Sequence, residues 1–76
     1  MMSMKQFKEL KEKNREFEEG LGEIVKYENV QWKKAFLEGT DEAWTKYRRN
    51  VNRKITALEK AYKNYGFTVC RERIMG

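Results

Sequence analysis

The sequence predicts a mostly α fold: a small helical domain with one long amphipathic helix in its C-terminal half. Three observations lead there. Trp44, Val51, Leu58 and Tyr65 recur every seven positions, which is a helical period. Met4, Phe7, Leu10, Asn14 and Phe17 follow one another at steps of three and four, a second helical stripe. No internal repeat, low-complexity tract or proline-bearing linker divides the 76 residues, so residues 1–76 form one domain. A short two-stranded element is the α+β alternative.

The first helix is expected over about residues 3–19. Ser3 followed by Gln6 has the spacing of a capping box, in which hydroxyl and amide each satisfy a backbone N–H of the other. Gly20 and Gly22 then interrupt the stripe, and a glycine costs a helix interior about 1 kcal/mol relative to alanine. The helix is therefore expected to stop near residue 19, with a kinked continuation to about 27 as the alternative. Asn14 is the one polar residue on the stripe. It is either a surface-edge residue or, in a parallel coiled coil, a register-setting core asparagine.

Residues 23–38 are ambiguous between irregular structure and a short helix. "EIVKY" could be a strand, while "NVQWKKAFLEG" fits a short helix capped by Asn29 and stopped by Gly39. The long helix is expected over about 41–65. Thr40 or Asp41 caps it, and Asp41 and Glu42 complement the positive end of its dipole. Gly66 should close it in the left-handed conformation, with Phe67 folding back on Tyr62. In the tail, about 67–74, Phe67 and Val69 alternate with Thr68 and Cys70, which suggests an extended or strand-like segment. That segment would have to pair with "EIVKY", pair across a dimer, or lie against the helices.

Composition narrows the function. The chain has no histidine and a single cysteine, Cys70. An intramolecular disulfide, a zinc site and histidine-based catalysis are thereby excluded within one chain. A shifted carboxylate pair would need burial that so small a core hardly offers. The expectation is therefore no enzyme, no metal and no cofactor. Cys70 is expected to be a reduced, semi-buried small hydrophobe. No apolar run approaches the ~20 residues that cross a bilayer, and the N-terminus lacks the apolar core of a signal peptide. A cytoplasmic protein with no membrane partner is expected.

Charge is unevenly distributed. Residues 1–30 carry a net charge of −1, and residues 31–76 carry +6. On a helical wheel the third segment separates into two sides. Trp44, Tyr47, Val51, Ile55, Leu58, Tyr62 and Tyr65 fall within about 80°. Lys46, Arg49, Arg53 and Lys60 fall opposite, at about 140° to 200° from Trp44, with Lys63 at their edge. Asn50, Asn52 and Thr56 supply polar contacts near this ridge.

A one-sided positive ridge admits three readings. It can be plain solvation of an otherwise structural helical oligomer. It can hold nucleic acid, neutralising phosphates with little sequence preference. A true helix-turn-helix is disfavoured, because the reading end of the second helix would be Asp41 and Glu42, which repel phosphate. The ridge can also dock on an acidic protein surface, as in small adaptors or inhibitors of the phage or mobile-element accessory type, with Trp32, Lys33 and Lys34 as further contacts. The leading expectation is a non-enzymatic module for a polyanion, most simply nucleic acid. One hairpin buries only one stripe, so a homodimer is also expected.

Overall fold

The structure is a computed structural model that describes residues 3–75. It is helical, with no strand among the described residues: α1 spans Met4–Glu38, α2 spans Asp41–Ala61, one 3₁₀ turn spans Lys63–Tyr65, and α3 spans Arg71–Met75. α1 and α2 form an antiparallel hairpin, and α3 folds back to touch both. The Cα trace is a rod of 52 × 16 × 16 Å.

α1 begins as its residues dictate. Gln6 N–H donates to Ser3 Oγ at 3.2 Å, and Ser3 N–H donates to Gln6 Oε1 at 3.0 Å. The helix does not stop near residue 19, and there is neither a break nor a kinked remnant in 23–38. It runs unbroken to Glu38, so "EIVKY" is not a strand and Asn29 lies inside the helix rather than capping one. Tertiary burial overrides the local glycine cost. Phe17, Ile24, Glu28 and Ala35 are buried on one stripe of α1, which no helix ending at 19 could bring against α2. Gly20 also has a packing reason: a Cβ built there would lie 2.7 Å from Leu58 Cδ1. The Leu58 side chain therefore packs directly over the Gly20 backbone.

Gly22 has no such reason, because nothing lies within 4 Å of a Cβ placed there. Gly22→Ala is expected to stabilise the hairpin by about 1 kcal/mol, through helix propensity alone. That gain corresponds to a rise of roughly 4–8 °C in melting temperature for a domain of this size. Gly20→Ala should gain less, since Leu58 must move. Thermal melts followed by circular dichroism check both.

The turn matches expectation. Gly39 is left-handed at φ 68° and its N–H donates to Ala35 O at 2.8 Å. Thr40 caps α2, its Oγ1 accepting from Ala43 N–H at 3.1 Å. The far end of α2 differs from expectation. The α-helix closes at Ala61 rather than 65, and Gly66 at φ 71° ends the 3₁₀ turn instead. Phe67 does fold back. Its ring lies 6.4 Å from Tyr62 and 5.2 Å from Phe17, giving an aromatic cluster where α2 ends against the middle of α1.

The tail is not a strand. Among the described residues it has no strand partner, and after four residues outside any helix it closes into α3. Val69, Ile74 and Met75 pack against the main core of Ile24, Ala35, Ala43, Tyr47, Val51 and Ile55. Cys70 is exposed rather than semi-buried. Val69, its neighbour, is the one of the two that turns inward. The first stripe residues, Met4 and Phe7, are 76% and 58% exposed, because α1 overhangs the end of α2. Asn14 is exposed, as a surface-edge residue should be.

Candidate polyanion-binding face

The outer side of α2 is positioned by the inner one. Val51 and Ile55 are fully buried against α1 and the tail, so residues half a turn away must face solvent. Lys46, Arg49, Arg53 and Lys60 are all exposed, in a row about 21 Å long at 1.5 Å per residue. Lys63 is exposed too, in the 3₁₀ turn just beyond α2.

The ridge cations form no ion pair among the described residues. Among the described residues the ion pairs are Lys13–Glu16, Arg15–Glu19, Lys26–Glu23 and Arg71–Glu59. None of them includes Lys46, Arg49, Arg53 or Lys60. Glu59 is the only acid of α2 outside its first turn, and it is committed elsewhere. Its Oε1 accepts from Arg71 Nη2 at 2.9 Å, and its Oε2 accepts from Val69 N–H at 3.1 Å.

The same arginine engages two of the polar residues expected beside the ridge. Arg71 Nε donates to Asn52 Oδ1 at 3.1 Å, and its Nη2 also donates to Thr56 Oγ1 at 3.2 Å. Asn52 and Thr56 thus serve to clasp the tail. Asn50 is half-buried and lines a shallow cleft on the other flank of the hairpin, together with Gln31, Lys34, Glu38 and Lys46. Lys54 sits over the Tyr27 ring at 5.1 Å from its centroid.

Trp32, Lys33 and Lys34 lie on α1 near the turn, away from the ridge. Trp32 is 44% exposed. Its ring stacks on Phe36 at 5.3 Å and meets Trp44 edge-on at 6.1 Å. Lys33 and Lys34 are both exposed.

Two residues that sequence reasoning missed hold the scaffold. Glu28 is buried on the α1 stripe, and its Oε1 accepts from the Tyr47 hydroxyl at 3.0 Å. Burial and the adjacent carboxylate keep that hydroxyl protonated, pushing the Tyr47 pKa up to about 12. An acid with a raised folded-state pKa contributes stability that is complete below its unfolded value, about 10. That contribution is lost as pH climbs from there towards 12. Tyr47→Phe should therefore flatten the fall in stability across this alkaline window, measurable by denaturant titration at a series of pH values. The signal for Glu28 was its place four residues after Ile24 and seven before Ala35. For Arg71, "CRERI" carries no local signal.

Among the described residues, no group of His, Cys, Asp or Glu could hold a metal ion, and no helix is long and apolar enough to cross a membrane. Comparison of the chain with known protein families, curated proteins and solved structures finds no match.

Proposed function

We propose that this chain is a non-enzymatic binding module that holds nucleic acid by its phosphates along the outer side of α2. The observation that carries this reading is the row of four exposed cations that form no ion pair among the described residues. A helix side that only needed wetting would mix its charges, as α1 does with Lys13–Glu16 and Arg15–Glu19. Binding should show little sequence preference. Asn52 and Thr56, which could otherwise read base edges, are occupied by Arg71, and phosphate contacts alone carry no sequence information.

The test is binding to duplex and single-stranded oligonucleotides over a salt series. Four neutralised phosphates give a slope of log affinity against log salt near −3.6 for duplex, at roughly −0.9 per contact. No binding at low salt would dismiss the reading. A homodimer is a separate proposal, supported by the exposed Met4 and Phe7 on the overhang of α1. Light scattering that gives the monomer mass of 9.2 kDa at micromolar concentration would dismiss it.

A further inference from the structure

The tail lies in a groove between α1 and α2, and it fills only part of it. Arg71 is anchored to Asn52, Thr56 and Glu59, so α3 runs back along one flank of α2 towards the turn. Trp44 and Arg48 precede Asn52 on that flank at steps of four, which places them one above another. On α1 the same flank carries Val25, Trp32 and Phe36, since Trp32 meets Trp44 across the gap. Towards the turn the α1 side chains along this flank are apolar and exposed, Val25 by 41%, Trp32 by 44% and Phe36 by 62%.

The filled part shows what the groove accepts. α3 is a helix that presents Ile74 and Met75 to the core. Apolar side chains on a helix are the natural occupant of a cleft between two helices. The charges beside the open part choose among possible helices. Arg48 stands on the α2 rim, and Lys33 stands beside Phe36 on the α1 rim; both are exposed. Asp41, in the first turn of α2, is an exposed acid of that rim, so the two cations outnumber it. A second copy of this chain would bring its own Arg48 and Lys33 against these, which disfavours self-pairing here.

We propose that the open part of the groove is a docking site for an acidic amphipathic helix of a partner protein. The partner's apolar stripe would rest on Trp32, Phe36 and Trp44, with its carboxylates beside Lys33 and Arg48. It would complete, end to end with α3, the third layer of a three-helix bundle. The site is separate from the ridge, so the protein carries two binding surfaces. This inference stands whether or not the ridge binds nucleic acid.

The probe is a synthetic helical peptide of about four turns, with leucine at the stripe positions and glutamate elsewhere, and no aromatic residue. Its control carries lysine in place of glutamate. The glutamate peptide should bind saturably and shift the tryptophan fluorescence, and the lysine peptide should not. Trp32→Ala with Phe36→Ala should weaken binding about tenfold or more, as removal of a central aromatic anchor does. Lys33→Glu with Arg48→Glu, at exposed positions that spare folding, should reverse the preference between the two peptides.

Arg49→Glu with Arg53→Glu should leave peptide binding within about twofold, because those side chains point elsewhere. Loss of peptide binding in that ridge variant would overturn the proposal, since the peptide would then be a mere polyanion on the ridge. Failure of the glutamate peptide to bind would also overturn it. So would a concentration-dependent dimer abolished by Trp32→Ala with Phe36→Ala, which would make a second copy the occupant. Quenching of fluorescence by oligothymidylate that depends on Trp32 would instead assign the groove to nucleic-acid bases, and would overturn it equally.

Discussion

Ile55→Ala should remove most of the stability of this domain. Ile55 is 0% exposed and sits where α1, α2 and the tail converge. Truncation to alanine loses the burial of its methylenes and leaves a cavity that two straight helices cannot close. Such changes cost about 2–5 kcal/mol. Marginal stability of roughly 5 kcal/mol is the lower end for natural domains, and a 76-residue hairpin belongs there. Chemical denaturation followed by circular dichroism should show the midpoint collapse towards zero denaturant. Ile55→Val should cost only about 1 kcal/mol, since the site keeps its shape. Leu37→Ala, at 83% exposure, should stay within about 0.5 kcal/mol of the parent. A small effect at Ile55 would mean that the hairpin interface is not the centre of the core.

Arg49→Glu with Arg53→Glu should abolish most polyanion binding while leaving the melting curve unchanged. Both side chains are exposed and take part in no ion pair among the described residues. Two of the four phosphate contacts disappear, so the salt slope should fall from near −3.6 to about −1.8 or less, and the new carboxylates add repulsion. Lys5→Glu with Lys8→Glu makes the same change in net charge on α1. If it weakens binding as much as the ridge variant does, attraction is set by overall charge and the ridge has no special part. If only the ridge variant loses affinity, the contacts are local.

The parts of the fold that were legible in the sequence are those where one local signal met one tertiary demand. The Ser3–Gln6 box, Gly39, Thr40, Gly66 and the inner stripe of α2 all belong to this class. The length of α1 was not legible. Local propensity at Gly20 and Gly22 argued for a stop, and only Leu58, 38 positions away in sequence, shows why Gly20 belongs inside a helix. The α3 turn escaped for a related reason. Alternation over Phe67 to Cys70 is a strand pattern, but helix formation follows from docking, and docking depends on Arg71 finding Asn52, Thr56 and Glu59. The ridge itself was legible, since a helical wheel needs only the right helix boundaries. Which of its neighbours were free was not. Asn52 and Thr56 look equally available in one dimension and are taken in three.

The clasp between Arg71 and Glu59 couples two equilibria. With the tail docked, the one carboxylate of α2 beyond its first turn is paired with Arg71, so the acids left beside the ridge on α2 are Asp41 and Glu42, which line one hollow with Lys46 and Arg49. With the tail released, Glu59 would stand bare one residue from Lys60, and any anion on the ridge would feel it. If the ridge binds an anion as proposed, the docked state should bind it better than a released one, and by thermodynamic reciprocity the anion should hold the tail down by the same factor. Strengthening the clasp should tighten anion binding without a new contact to the anion. Loosening it, at a residue that never touches the ligand, should do the reverse.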